Sequence, residues 1–206
     1  MGAIGWRAVL ALLFVLALGW RLFALSRLAG SPLLGNLEAD SEIYWRWAGS
    51  IHASGWIGHN PFFLSPLYAY ALALVRSLTG DSVIAVLRVQ AVLGASAVVL
   101  LADASRRLTT SAWGLVIGLA ASFYAIGTFF DLLILSESLL YFLEALLVWM
   151  VVAWPWRERW LSGSALVGCL IGLLAQGRPT APVLLLAFAM LLASQLSHQA
   201  PLGIPC

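Results

Sequence analysis

The stretch LTTSAWGLVIGLAASFYAIGTFF at residues 108–130 contains no charged side chain and is followed directly by Asp131. A helix of this length would reach about 35 Å, which is enough to cross a hydrocarbon core of about 30 Å. This stretch therefore predicts a membrane-spanning helix, which we assign to residues 110–130.

The composition of the whole chain points the same way. Of its 206 residues, 62% are hydrophobic and 10% are charged, whereas soluble domains carry about 25% charged residues. All 11 basic residues are arginines, and 9 acids leave a formal charge of only +2, so no basic face is available for nucleic acid. Ten tryptophans suit anchoring at a bilayer interface. These features exclude a soluble, disordered or nucleic-acid-binding protein and predict an integral membrane protein surrounded by lipid.

Five more apolar stretches have the length expected of membrane spans. Together with the first they predict an all-α, polytopic transmembrane helical bundle of about six spans. Arg7 precedes the N-terminal stretch, residues 8–25, so a signal peptide is an alternative for that stretch. However, Arg21 interrupts the stretch, and five further spans follow it. The five stretches are residues 8–25, 84–105, 137–154, 160–177 and 180–196.

The segment Pro66–Leu78 is apolar but too short to be a span. Its 13 residues would reach about 20 Å as a helix, so we expect an interfacial or re-entrant helix. Skipping it places the arginine pairs at 106–107 and 157–159 on the side of Arg7, in agreement with the positive-inside rule. The N-terminus is then inside, and residues 26–82 form a large outer loop with juxtamembrane helical structure.

Acidic residues concentrate at the predicted outer face. Glu38, Asp40 and Glu42 alternate in the outer loop, and Tyr44 follows Asp40 by one turn of a helix that would lie along the membrane surface. The alternative is that these acids are only solvated loop charges. Glu137 begins a span, where an ionisable group is costly and usually faces a cavity or a partner; the alternative is that it extends to water.

Two arginines near the same face are candidate phosphate ligands. Arg178 lies between Gly177 and Pro179, where the helix should break, and an arginine there can grip a phosphate through two hydrogen bonds. Arg88 lies near the outer end of its predicted span. Either residue could instead be an interfacial anchor.

The order of the motifs along residues 8–190 resembles the N-terminal half of the GT-C membrane glycosyltransferases. The most similar group is the protein-mannosyltransferase-like family, which includes lipid A aminoarabinose and galacturonic acid transferases. The motifs are Asp40-x-x-x-Tyr44-x-x-x-Ala48, PFFLSPLY at 61–68, Arg88-x-Gln90, Arg106–Arg107, Ser136-Glu137-Ser138-Leu139 and Gly177-Arg178-Pro179.

The resemblance implies a function and a site. Such enzymes transfer a sugar from a polyprenyl-phosphate donor to a hydroxyl acceptor, which is a lipid, a glycan or a protein. Asp40 matches the first-loop aspartate and is the candidate catalytic base, and Glu137 matches a second acid in the same cavity. Arg178, Arg88 and Tyr44 are the candidate substrate-binding residues. A divalent metal ion is the candidate cofactor, with its ligands left open.

The resemblance also implies a place in the cell and leaves alternatives. The site would face the outside, or periplasm, of a bacterial inner membrane. Relatives are generally larger, so residues 1–206 would be the N-terminal part of a GT-C-type transmembrane domain, and an inactive truncated product stays open. The other class is a non-enzymatic transporter or lipid-carrier flippase fragment. Acids at one face and no internal repeat favour the enzyme.

Overall fold

The computed structural model of the chain describes residues 3–28, 37–56, 64–178, 180 and 183. Of these residues 85% are helical and none is in a β-strand, which confirms the predicted all-α class for this part of the chain. The helices are Ala3–Leu28 (α1), Asp40–Ala53 (α2), Pro66–Thr79 (α3), Val83–Leu108 (α4), Ser111–Ser122 (α5), Ala125–Asp131 (α6), Glu137–Ala153 (α7) and Trp156–Gly177 (α8).

Three of these helices are long and apolar enough to cross a membrane. They are α1 from Gly5 onward, α4 and α8, and the bent pair of α5 and α6 would be a fourth. The 17 residues of α7 reach about 25 Å, less than a core of about 30 Å. The described residues thus support three or four spans, and the predicted count of about six is not confirmed. The predicted span at 180–196 lies outside the described residues.

The stretch predicted as a span over residues 110–130 forms two helices, which together have the length and hydropathy of one bent span. The helix stops at Ser122 and resumes at Ala125, and α5 and α6 meet at an angle of 53°. Tyr124 between them has extended backbone angles, with φ −64° and ψ 104°. Beyond the bend, Asp131 at the end of α6 contacts Arg21 of α1. An uncharged apolar pattern indicates how long a span is, but it does not encode such a tertiary contact.

Hydrogen bonds show which helix ends lie together. Trp6 of α1 and Trp149 of α7 both donate their ring N–H to Asp103, near the end of α4, at 2.8 and 3.0 Å. We call this the Asp103 end of the bundle. Arg21 of α1 pairs with Asp131 at the opposite end, which we call the Asp131 end. Helix α1 therefore runs antiparallel to α4 and α7.

The two short helices α2 and α3 pack on each other at the Asp131 end. Tyr44 of α2 and Tyr68 of α3 are buried, and their rings meet edge to face with centroids 4.8 Å apart. The Arg76 guanidinium lies 4.0 Å from the centre of the Trp45 ring and donates to the Trp45 carbonyl. With 14 residues, α3 reaches about 21 Å. The segment predicted as an interfacial or re-entrant helix is therefore a helix, and it is too short to cross a membrane.

Candidate functional site

A cavity of about 400 Å³ opens at the Asp131 end, beside the start of α2. Small-molecule sites commonly enclose about 300–1,000 Å³. The chain that leads into α2 supplies the polar wall, while α4, α6 and the turn at residues 132–135 supply apolar walls. The residues that matter most for its chemistry are Glu38, Asp40 and Ser41 on the polar side, and Val83, Leu87 and Phe129 on the apolar side.

Asp40 begins α2 at the edge of this cavity. Its side chain is exposed, and among the described residues no arginine forms an ion pair with it. Ala39 before it has φ 51° and ψ −128°, a left-handed conformation that alanine rarely adopts and that costs backbone energy. The local backbone thus presents a negatively charged group, accessible to water, at the mouth of a largely apolar cavity.

Tyr44 relates the two predicted acids to each other. It is buried one turn after Asp40, and its ring contacts that of Tyr68 edge to face. Burial raises the pKa of the Tyr44 hydroxyl above its usual value, and the nearby charges of Glu137 and Asp40 also raise it. Asp40 lines the cavity, and Glu137 begins α7 just after the turn at residues 132–135 that forms another of its walls.

Glu137 is the first residue of α7, and Ser136 precedes it. The Ser136 hydroxyl lies 3.4 Å from the Glu137 carboxylate, to which it donates a weak hydrogen bond. A negative charge is favourable at a helix N-terminus, where backbone N–H groups lack helical partners. The side chain is half-buried and, like Asp40, pairs with no arginine in the part of the chain that the structure describes.

Asp131, the acid that directly follows the predicted 110–130 span, has a buried side chain. Its side chain is 1% exposed and pairs with the fully buried Arg21, whose Nε donates to Oδ2 at 2.7 Å. The hydroxyl of Ser138 donates to the other carboxylate oxygen at 2.8 Å. Asp131 is therefore part of the packed interior, directly behind the turn that leads to Glu137.

Gln90 of α4 extends this network. Its side-chain nitrogen donates to the carbonyl oxygens of Asp131 and Leu133, at 3.3 and 2.7 Å. Its side-chain oxygen accepts a hydrogen bond of 2.7 Å from the Tyr68 hydroxyl. Polar contacts thus run from the buried ion pair at Arg21 through α4 to α3, whose Tyr68 ring contacts Tyr44.

The candidate substrate-binding residues have different surroundings. Arg178 is exposed just after α8, and the backbone carbonyl of the nearby Gln176 accepts a hydrogen bond from Ser65, which directly precedes α3 at the Asp131 end. Arg178 is thus on the same side of the bundle as Asp40 and Glu137. Arg88 is also exposed, but it is not among the residues that line the cavity. Tyr44 is buried, so we expect it to support the structure of the site. Pro179 and the residues 61–63 of the matched motifs lie outside the described residues.

A metal site was left open by the sequence. Within the described ranges, no group of three or more histidine, cysteine, aspartate or glutamate side chains comes close enough to hold a metal ion. Asp40 and Glu137 alone do not make the larger oxygen-ligand set that Mg²⁺ or Ca²⁺ takes. We therefore derive no step of the chemistry through a metal.

The Arg21–Asp131 pair is the main feature that sequence reasoning missed. The available signal was Arg21 itself, a charge inside an apolar run with no acid within a helical turn. Charged residues inside spans usually pair with one another, so a partner elsewhere in the bundle was to be expected. Sequence alone does not select Asp131 from the nine acids as that partner, because Arg21 and Asp131 are separated by 110 residues.

Comparisons of this chain with protein-family models, with curated proteins and with solved structures gave no match. The function of the chain is therefore inferred from the geometry of the Asp131 end and from the motif resemblance.

Proposed function

We propose that the chain is the N-terminal part of a GT-C-type glycosyltransferase, which transfers a sugar from a polyprenyl-phosphate donor to a hydroxyl acceptor. The observation that carries this proposal is that Asp40 lines the cavity, while Glu137 begins α7 just after the turn at residues 132–135 that forms another wall of the cavity. Two carboxylates without ion-pair partners at one opening are typical of a site where protons or polar substrates are handled.

The chemistry follows from the needs of the two substrates. An acceptor hydroxyl is a poor nucleophile, so Asp40 takes its proton as the hydroxyl oxygen forms a bond to the anomeric carbon. The bond between that carbon and the phosphate oxygen breaks, and polyprenyl phosphate leaves with the electron pair. A single displacement inverts the anomeric configuration. The leaving phosphate needs positive charge, which Arg178 supplies, with Arg88 as a second source.

The cavity suits a donor that is half sugar and half lipid. A sugar needs polar partners, which Glu38, Asp40 and Ser41 offer, whereas the start of a prenyl chain needs apolar walls such as Leu87 and Phe129. Glu137 then positions the acceptor. Since the donor is membrane-embedded, a site at one end of a bundle of apolar helices can meet it at the bilayer surface.

We further propose that the Asp131 end faces the periplasm of a bacterial inner membrane. The two short connections at the Asp103 end, α4–α5 and α7–α8, are flanked by four arginines, whereas the short turn between α6 and α7 at the Asp131 end has none; the six arginines elsewhere at that end are matched by six acids. By the positive-inside rule the Asp103 end is then cytoplasmic. The arginines of the Asp103 end are Arg7, Arg106, Arg107, Arg157 and Arg159.

The test is transfer of radiolabelled sugar from a polyprenyl-phosphate donor in membranes that contain the chain. Asp40→Asn is expected to lower transfer by about a hundredfold or more, because a general base contributes about 10²–10⁴-fold to the rate. Glu42→Gln is the matched control, because Glu42 lies two residues away and pairs with Arg46 on an exposed face of α2. Equal activity of Asp40→Asn and wild type, with equal insertion, would exclude Asp40 as the base.

One observation favours the alternative of a transporter or lipid-carrier flippase. Buried ion pairs inside spans are common on transport pathways, and Arg21 and Asp131 form such a pair. Under this alternative, lipid movement in reconstituted vesicles depends on Arg21 and Asp131 and not on Asp40. If the chain is a transferase, sugar transfer instead depends more strongly on Asp40 than on Arg21 and Asp131.

A further inference from the structure

The turn at residues 132–136 connects α6 to α7 and is held firmly on both sides. Asp131 precedes it, and both of its carboxylate oxygens are occupied: Arg21 donates to Oδ2 at 2.7 Å and Ser138 donates to Oδ1 at 2.8 Å. Ser138 belongs to the first turn of α7, next to Glu137. One side chain thus ties the end of α6, the start of α7 and the C-terminal part of α1 together.

The backbone of the turn is held separately. The Gln90 side chain donates to the carbonyl oxygens of Asp131 and Leu133, and the hydroxyl of Ser136 donates weakly to the Glu137 carboxylate. Residues 132–135 also form a wall of the cavity at the Asp131 end. The same short segment therefore carries a cavity wall and leads directly into Glu137.

Stability is a weak explanation for the ion pair that holds this segment. Arg21 and Asp131 are 0% and 1% exposed, and burial of two charges costs desolvation energy that their attraction often fails to recover. Arg21 keeps one buried nitrogen, Nη2, without a hydrogen-bond partner in the described part of the chain. An apolar pair of similar volume would avoid both costs. What it would not reproduce is the directional contact with Ser138.

We propose that the Arg21–Asp131 ion pair is a positioning device, which sets the 132–136 turn and thereby the place of Glu137 relative to Asp40 across the cavity. Neither residue touches substrate in this proposal. Its effect on the turn stands by itself, whereas its effect on catalysis rests on the proposed transferase function.

The experiment compares two ion pairs at opposite ends of the bundle. The double variant Arg21→Met with Asp131→Leu removes both charges and leaves neither buried alone, an exchange that proteins often tolerate. Arg107→Met is the matched control, because Arg107 pairs with Asp103 at 2.7 Å at the far end. Spin labels at Ser41→Cys and Leu135→Cys, two residues that line the cavity, report the distance across it. Cys169→Ser and Cys206→Ser provide the background.

In the parent and in Arg107→Met we expect one narrow distance distribution in detergent. In the double variant, shown to be folded by a single size-exclusion peak, we expect a distribution roughly twice as broad. If the double variant does not fold, Ser138→Ala is measured instead, since it keeps the ion pair but breaks its link to α7. Broadening there supports the proposal. A parental width in the folded variant overturns it.

Transfer assays provide the second measurement. The double variant is expected to lower kcat by about tenfold to a hundredfold with KM nearly unchanged, because a misplaced group weakens the chemical step more than binding. Absence of transfer in wild type would refute the proposed function and leave the distance test intact. Full transfer together with an unbroadened distribution would refute the positioning role alone.

Discussion

The two ends of the bundle each centre on one aspartate but use it in opposite ways. At the Asp103 end a single carboxylate accepts hydrogen bonds from Trp6, Trp149 and Arg107 and forms an ion pair with Arg106 at 3.5 Å. These partners come from α1, α4 and α7. The negative charge of Asp103 is therefore fully paired, and it joins three helices.

The Asp131 end instead separates its structural charge from its accessible ones. Asp131 is buried with Arg21, while Asp40 and Glu137 lie nearer the cavity and have no arginine partner among the described residues. The comparison teaches that an acid near a span end is not by itself a sign of function. What matters is whether its charge is already paired: Asp103 and Asp131 each form ion pairs with arginine, whereas Asp40 and Glu137 form none among the described residues.

Removal of the central aspartate at each end gives the largest expected difference. Asp131→Ala leaves Arg21 buried without a counter-charge, which should lower the free energy of unfolding by about 3–5 kcal/mol. Asp103→Ala frees Arg106 and Arg107, which are partly exposed and can reach water, so we expect a loss of about 1–3 kcal/mol. Thermal unfolding in detergent, followed by tryptophan fluorescence, measures both. A greater loss for Asp103→Ala would contradict the comparison.

Gly94, which lies directly against the Arg21–Asp131 ion pair, provides a second test of the comparison between the two ends. A Cβ atom added at Gly94 would overlap Asp131 Oδ2 and lie 2.6 Å from Arg21 Nε, and neither charged group is free to move away. Gly94→Ala should therefore cost about 1–3 kcal/mol, as overpacking does. Gly168→Ala is the control, since a Cβ there meets no described atom within 4 Å, and its effect should stay within about 0.5 kcal/mol. Similar melting temperatures for both variants would show that the ion pair is loosely packed.

The smallest effect concerns Tyr68, which connects the Asp131 end to α3. Burial raises the pKa of the Tyr68 hydroxyl above its usual value of about 10, so the folded protein keeps this proton at a pH where the unfolded chain loses it. Stability should therefore be independent of Tyr68 titration below about pH 10 and should fall as pH rises above it.

Tyr68→Phe tests this expectation. At neutral pH it should cost about 1 kcal/mol, because the hydrogen bond to Gln90 is lost. Above about pH 10 its stability should decline less steeply with pH than that of wild type. Melting temperatures across this range measure both effects. Parallel curves for the two proteins would indicate that Tyr68 does not retain its proton.

Most of the helices could be predicted from the sequence. Predicted spans at 84–105, 137–154 and 160–177 correspond to Val83–Leu108, Glu137–Ala153 and Trp156–Gly177. A helix starting at Asp40 and a short one from Pro66 were also expected and are present. Apolar runs and helical spacing carry this information locally, because helix formation depends mainly on neighbouring residues and the apolar surroundings.

The candidate site was predictable only in part. Asp40 and Glu137 were proposed from motifs; Asp40 lines the cavity, and Glu137 begins α7 just after the turn that forms another cavity wall. The ion pair of Arg21 with Asp131, and the support from Gln90, were not predicted. A pattern of single residues shows that a buried charge needs a partner, but the identity of the partner depends on which helices become neighbours.

The amino-acid sequence alone determined an all-helical, membrane-associated chain with a short helix outside the spans, because hydrophobic length and charge are local properties. Tertiary structure alone decided that α5 and α6 bend at residues 123–124, that Asp131 is buried with Arg21 and that two other acids stay beside a cavity. The physical reason is that a buried charge is stable only where a partner from another helix reaches it, and this depends on how the helices pack.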